Sequence, residues 1–477
     1  MMSFLQKRIC SVRSLLTILI TVLLVPALLA QHAEQDLPPG DSTRVESRLY
    51  DIMKHGTLDG RFRQYSMATL NEGVPNDYYA IAFGGALTYS SQRWHGLQFK
   101  LTGGYTFDLS SSDLTVNDPV TGLPNRYEIG LFDVTNPRST NDVAYLQEFQ
   151  LNYVSRVKRT RIVFGKQALN TPFLNAQDGR MHPTFFEGLW GKHTTEHGLT
   201  FEGGWIYRVA PRSTSNWYRV DESVGLYPVG RNTLGEPSTY ASSQNSSGIV
   251  ALSAKRTIQQ ALTLTAWDLL VENMFNTAMI QADLGERTDR WSFSGLALQQ
   301  TPIAHGLPSE TSSAYMPTGE ESVAFSARIR NVLGKFRWQA NYTRITKGGR
   351  YLMPREWGRD PFFTFLPRER NEGLGDVHAI TVNLIWKDLR PGLRLETDAG
   401  LYLLPSVSDA RLNKYTMPSY AQYNLNIQYQ FRGGWQGLAA QVLYLYKMPL
   451  PGQELTDRPV FNKVNMHHVD LILNYVF

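Results

Sequence analysis

The sequence predicts an all-β protein, a transmembrane antiparallel β-barrel of about eighteen strands, or sixteen if three weakly alternating segments drop out. Three observations carry this. The chain ends on an amphipathic strand, His468 to Phe477, in which Val469, Leu471, Leu473, Tyr475 and Phe477 share one parity and Asp470 and Asn474 the other. Aromatic residues make up 12 % of the chain, yet after the N-terminus no run of about twenty apolar residues is long enough to cross a bilayer as a helix. From Gly60 onward, apolar and polar residues alternate with a period of two in one segment after another. A soluble sheet also contains amphipathic strands. A strand that stops on an aromatic residue suits a barrel better, because the last strand pairs with the first and leaves no edge in lipid.

Residues 1–30 read as a secretory signal peptide, with Lys7, Arg8 and Arg13 before an apolar stretch from Leu15 to Leu24, then Leu28-Leu29-Ala30. The one cysteine, Cys10, falls inside it, so a processed chain has neither disulfide nor cysteine chemistry. Removing those three basic residues takes the formal net charge from +5 to +2, which argues against nucleic acid as a partner. Residues 31–58 form a separate, periplasmic extension in this reading. Thr43 and Glu46 have capping-box spacing there, ahead of a short helix whose apolar face is Val45, Leu49, Ile52 and Met53. The barrel then occupies residues 59–477.

Candidate strands fall near 60–68, 77–90, 96–109, 143–154, 158–165, 184–193, 197–209, 247–256, 261–271, 274–284, 289–301, 320–332, 335–345, 377–387, 392–404, 419–431, 435–447 and 467–477. The weak three are 247–256, 261–271 and 274–284. The segment 421–431 is the most informative, with Tyr423, Leu425, Ile427, Tyr429 and Phe431 alternating with Gln422, Asn424, Asn426, Gln428 and Gln430. Five amides on one face do not fit a dry core, since each would need partners it lacks. They fit a water-filled lumen with lipid on the opposite face. Long gaps at 110–142, 210–246, 302–319 and 346–376 read as extracellular or constriction loops, and the short gaps at 332–335 and 388–392 as periplasmic turns.

Two loop segments exceed barrel pattern, Gly165 to Gly188 (with Leu169-Asn170-Thr171-Pro172) and Pro354 to Gly373 (with Arg355-Glu356-Trp357-Gly358-Arg359-Asp360). With Gly60-Arg61-Phe62-Arg63-Gln64-Tyr65 on the first strand, they resemble the OprD family of substrate-specific outer-membrane porins, over residues from about 60 to 477. The resemblance implies a monomeric eighteen-stranded barrel in the outer membrane of a Gram-negative bacterium. It also implies loops folded into the lumen around a narrow eyelet, and passage of small charged solutes past a ladder of arginines. The partners expected are small-molecule solutes, outer-membrane lipid and the barrel-assembly machinery, which would read the C-terminal strand. No cofactor is expected.

Strand parity alone places Arg61, Arg63, Arg328, Arg330, Arg337 and Arg394 inside, where their charge avoids a cost of roughly 2–4 kcal/mol each at the bilayer midplane. Such a track attracts carboxylates. Alternatively, these arginines brace the wall by pairing with inward acids such as Glu396 and Asp398, and both roles stay open. In the first motif loop, Asp178, Arg180 and His182 are the candidate constriction groups. In the second, Arg355, Arg359, Arg368 and Arg370 lie among Glu356, Asp360, Glu369, Glu372 and Asp376, a mixture that favours an internally paired, rigid loop over a binding site. His193 and His197 are four apart but not on a credible helix, His467-His468 has no acidic partner at metal spacing, and no nucleophile elbow or phosphate-binding glycine loop occurs. The expected activity is therefore passive, partly selective diffusion of carboxylate-bearing solutes. A barrel lipase or protease and a polysaccharide export channel are the alternatives.

Overall fold

The computed structural model describes residues 50–477 apart from 142, 178, 242, 286–289, 304–312 and 454–455. The expected signal peptide and most of the expected extension lie outside the described residues. The chain divides into two units, Met1–His55 and Gly56–Phe477. In the first, residues 50–54 form a helical turn, with His55 Nδ1 2.8 Å from the carbonyl oxygen of Asp51.

In the second unit the alternating segments become strands in chain order: β1 (Thr57–Asn71), β2 (Tyr78–Ser90), β3 (Leu97–Ser111), β4 (Val143–Val154), β5 (Thr160–Gln167), β6 (Phe185–Thr194) and β7 (Thr200–Ala210). A two-residue strand, β8 (Tyr218–Arg219), sits in the following loop. The wall resumes with β9 (Ile249–Ile258), β10 (Leu262–Val271), β11 (Phe275–Leu284), β12 (Trp291–Pro302), β13 (Ser322–Leu333), β14 (Phe336–Ile345), β15 (Val377–Trp386), β16 (Leu393–Leu403), β17 (Tyr420–Gln430), β18 (Leu438–Pro449) and β19 (Met466–Val476). Neighbours pair antiparallel, β7 bonds to β9, and β19 returns to β1, so eighteen strands close a barrel with β8 outside the wall. The three weakly alternating segments are all wall strands. Closure satisfies every ladder, which is what lipid demands.

Side chains such as Phe149, Leu151, Phe201, Trp205, Phe293, Phe325 and Leu471 stay exposed on the outer face, where lipid rather than water would meet them. Short turns gather at one end of the barrel with the C-terminus. The long loops 112–142, 168–184, 211–248, 346–376 and 404–419 gather at the other and fill the lumen. Trp357 is completely buried there, donating from Nε1 to Ser223 Oγ at 2.9 Å and stacking near Phe275.

This filling corrects one expectation. The inward amides of β17 do not all face open water. Gln422 and Asn424 are buried, the first donating to the carbonyl of Pro367 at 2.8 Å and to Asn424 Oδ1 at 2.9 Å. Asn426 and Gln428 are half-buried, and Gln430, nearest the turn end, is exposed. One strand thus runs from a plugged, dry half of the barrel into a wet one. The polar partners that parity required are supplied by an inserted loop at one end and by water at the other.

Candidate functional site

The plug is built from both motif loops, which are stitched together by backbone-directed bonds. Asn175 is the central stitch. Its N–H donates to Trp357 O at 3.1 Å, its Nδ2 to Arg359 O at 3.2 Å, and its Oδ1 accepts from the Arg359 N–H at 3.0 Å. Gly358 sits against this amide with φ +141°, where an added Cβ would fall 2.6 Å from Asn175 Oδ1. Only glycine fits that position. Thr184 Oγ1 donates to Glu356 O, and Arg370 Nη2 to Gln177 Oε1 at 2.5 Å.

The plug is pinned to the seam where the first and last strands meet. Arg368 Nη2 donates to Asp470 on β19 at 2.6 Å and to the Tyr65 hydroxyl on β1 at 3.0 Å. Its Nε lies 3.0 Å from His468 Nε2. Asp470 Oδ1 also approaches that ring nitrogen, at 3.2 Å. A guanidinium N–H can only donate, so Nε2 accepts and the proton sits on Nδ1, which faces Thr69 Oγ1 at 2.8 Å. Thr69 in turn donates to Glu128 at 2.5 Å, and Asn125 Nδ2 holds the other oxygen of Glu128 at 2.6 Å. Glu128 opens a short 3-10 helix (Glu128–Leu131), so a third loop is fastened to the same seam.

A second buried cluster organises the far side of the plug. Glu372 accepts from Arg355 Nε at 2.7 Å, Lys414 Nζ at 3.2 Å and the Tyr415 hydroxyl at 2.9 Å. Burial alone would raise its carboxyl, but Lys414 and Arg355 hold it below the ordinary glutamate range. Glu369 behaves differently: burial pushes it up to about 7 against the pull of Lys447, 3.4 Å away.

Between these clusters lies a cavity of about 460 Å³. Arg355, Arg368 and Lys447 line it with their charges met by Glu372, Asp470 and Glu369. Arg126, Arg180, Arg212, Arg370 and Lys463 line it as well, and among the described residues none of these five has a carboxylate at ion-pair distance. They crowd one another. Burial, reinforced by Arg370 and Arg180, brings Arg212 down to about 9 despite the facing Tyr227. Burial and Arg368 bring Arg180 down to about 10. Burial, with Arg126 and Arg355 nearby, brings Lys463 down to about 7. At neutral pH the arginines keep their charge, and an anion would relieve both the desolvation and the repulsion.

The six parity-derived arginines all point inward, but none lines this cavity. Arg63 donates from Nε to Asn474 at 2.7 Å and from Nη1 to Arg180 O at 2.6 Å, so it supports the constriction loop, and Arg61 precedes it on the same face. Arg328 and Arg330 reach Ser294 and Ser292 at 2.9 Å. Arg328 also lies 3.8 Å from Asp283 and over the Phe363 ring. Arg394 pairs with Glu396 at 2.7 Å, and Arg337 lies on the adjoining stretch of wall. Bracing and a lumenal charge therefore coexist on this wall.

Of the constriction candidates, Arg180 lines the cavity. His182 is instead buried with its ring 4.2 Å from Tyr145, and Asp178 lies outside the described residues. The second loop is not paired only within itself. Arg355 meets Glu372 inside the loop, but Arg368 and Glu369 pair with wall residues, Arg370 faces the cavity and Arg359 packs over Phe365. A loop so short cannot neutralise alternating charges that point in opposite directions, so half of them look outward to the wall. Arg126, Arg212 and Lys463 were not singled out by sequence. They lie in aperiodic loops, where parity says nothing about direction.

Residues 122–295 match the family model described as outer membrane porin, OprD family. No curated protein matches the chain. Among solved structures, the chain is similar to OccK9 (OpdG) of Pseudomonas aeruginosa at 14% identity and a TM-score of 0.70, covering 89% of this chain and 99% of that one. OpdK of the same organism, solved with vanillate, is 12% identical with a TM-score of 0.66, covering 89% and 99%. OccAB4 of Acinetobacter baumannii is 14% identical with a TM-score of 0.66, covering 88% and 98%. The family match spans the first motif loop and agrees with the resemblance read there, and the solved structures bear out the eighteen-stranded barrel.

Proposed function

Starting from an outer-membrane porin barrel of OprD type, we propose that this chain passes small solutes bearing carboxylate groups, and that it does so by diffusion rather than catalysis. The observation that carries this is the cavity at the plug, where four arginines and Lys463, none with a carboxylate at ion-pair distance among the described residues, gather around a space of small-molecule size. OpdK, solved with vanillate, is a relative in fold whose ligand carries a carboxylate. Below the plug, Arg328, Arg330, Arg337 and Arg394 extend positive potential along the wall toward the turn end. Arg328, Arg330 and Arg394 are held shallowly enough, by serines or a neighbouring acid, to exchange one anion for the next. Focusing of this kind in a low-dielectric passage raises the local anion concentration.

Reversal potentials across a salt gradient in planar bilayers test the reading. The protein should be anion-selective. Replacing Arg328 and Arg330 by Ala should shift selectivity toward cations, and more so at 0.01 M salt, where the Debye length is about 30 Å, than at 0.1 M, where it is about 10 Å. Lost thermal stability with an unmoved reversal potential would mean that these arginines only brace the wall. A cation-selective wild-type channel would overturn the carboxylate reading itself.

The long-loop end is taken to face outward and the turns to face the periplasm, with the C-terminal strand recognised by the assembly machinery. Because the signal-processed chain has no cysteine, single cysteines report this directly. Leu234→Cys, at an exposed site in the 211–248 loop, should label with an impermeant thiol reagent on intact cells. Leu389→Cys, exposed in the 387–392 turn, should label only after permeabilisation. The reverse pattern would invert the barrel.

A further inference from the structure

We propose that the plug cavity selects solutes carrying at least two anionic groups, compact di- or tricarboxylates, over monocarboxylates of the same size. This rests on the carboxylate reading above and sharpens it. One carboxylate accepts a bidentate pair of bonds from one guanidinium and so neutralises one cation. Among the described residues, the cavity presents Arg126, Arg180, Arg212, Arg370 and Lys463 without a carboxylate at ion-pair distance, in a space of only about 460 Å³.

The donors are also unspent. Of the five N–H donors each guanidinium carries, Arg180 uses one on Gly179 O, and Arg370 uses two, on Gly358 O and Gln177 Oε1. Arg212 Nε is buried without a hydrogen-bond partner. Buried donors are normally satisfied, so this shielded N–H adds to the cost of keeping the Arg212 charge beside the cavity. Among the described acids, Glu369, Glu372 and Asp470 are already engaged by Lys447, by Arg355 and Lys414, and by Arg368, and Asp360, which acts on Arg370 from beyond ion-pair distance, does not line the cavity. A single charge would leave most of the repulsion among the four arginines in place, whereas two or three charges on one small frame relieve it together. The lining also includes Leu114, Val134, Leu226 and Val229, apolar groups that suit a short hydrocarbon spacer.

The test uses pairs of probes matched in size and differing in charge: succinate against succinamate, and citrate against gluconate. Each is titrated against the chloride current of the full-length protein in planar bilayers. Occupation of the cavity appears as reduced current, and its midpoint gives an apparent dissociation constant. At 0.1 M salt succinate should bind about tenfold more tightly than succinamate, with a larger gap for citrate over gluconate, since each added charge meets a further unneutralised cation. The gap should shrink at 1 M salt. The double variant Arg212→Gln, Arg370→Gln should bring succinate and succinamate to within about twofold. The probe pairs on the unmodified protein decide the matter even if that variant does not assemble. Equal binding within each pair, in a channel that is still anion-selective, overturns this inference and leaves the carboxylate reading standing. No binding of any probe together with cation selectivity overturns both.

Discussion

Replacing Arg368 by Met should lower the stability of the folded barrel by roughly 3–5 kcal/mol, the cost of removing one partner from a buried ion pair. Asp470 and His468 have no exposed surface, and Arg368 is the cation that faces both. Methionine fills much of the volume but leaves the carboxylate desolvated and unpaired. Tyr65 loses a donor in the same step. Since Arg368 is also the pin between the plug and the seam, the plug should loosen, and single-channel conductance should rise as stability falls. The heat-modifiability midpoint and the open-channel current of the same preparation measure both. Adding Asp470→Asn should recover a good part of the lost stability, because it removes the stranded charge. If Arg368→Met alone leaves both readouts unchanged, the latch at the seam has no energetic weight.

Deleting Phe477 should prevent assembly of the barrel almost completely. Its N–H donates to Gly60 O and its carbonyl accepts from the Gly60 N–H, both at 3.0 Å, and its ring stacks on Phe62 and Tyr475. Gly60 is matched to it, since a Cβ there would lie 2.2 Å from the Phe477 ring. Losing this residue removes the last rungs of the closing ladder and opens an edge in lipid. Leu473→Lys with Tyr475→Lys should fail for a related reason. A lysine on the lipid face costs roughly 2–4 kcal/mol at the midplane and less toward the interface. Outer-membrane fractions probed for heat-modifiable protein give the answer, and normal amounts of folded protein in either strain would refute it.

Strand parity made the wall legible to within three residues at each end, even for 247–256, 261–271 and 274–284, because each strand must keep one face for lipid and the other for the lumen. It also placed Arg63, Arg328 and Arg394 on the inner face. It could not show that Gln422 and Asn424 would be covered, since what covers them is a loop arriving from more than fifty residues away. The motif loops announced themselves by composition, and Arg180, Arg355, Arg368 and Arg370 do line the cavity. His182 did not follow, because an aromatic neighbour, Tyr145, claimed its ring. Arg126, Arg212 and Lys463 sit in segments where direction is set by tertiary contacts alone.

The seam latch also imposes an order in time. Its bonds join Thr69 to His468 and Tyr65 to Arg368, across 399 and 303 residues of chain, and they exist only where β1 and β19 already lie side by side. Contacts of such separation form after local hairpins, which close far smaller loops. The latch therefore cannot close on a half-built wall, and in an unfinished barrel the plug, though it can touch β17 and β18, is not pinned at the seam. Completion of the cylinder and arming of the filter become one late event, so a stalled assembly intermediate is a hole without selectivity, which makes fast closure by the final strand a matter of cell survival as well as of folding.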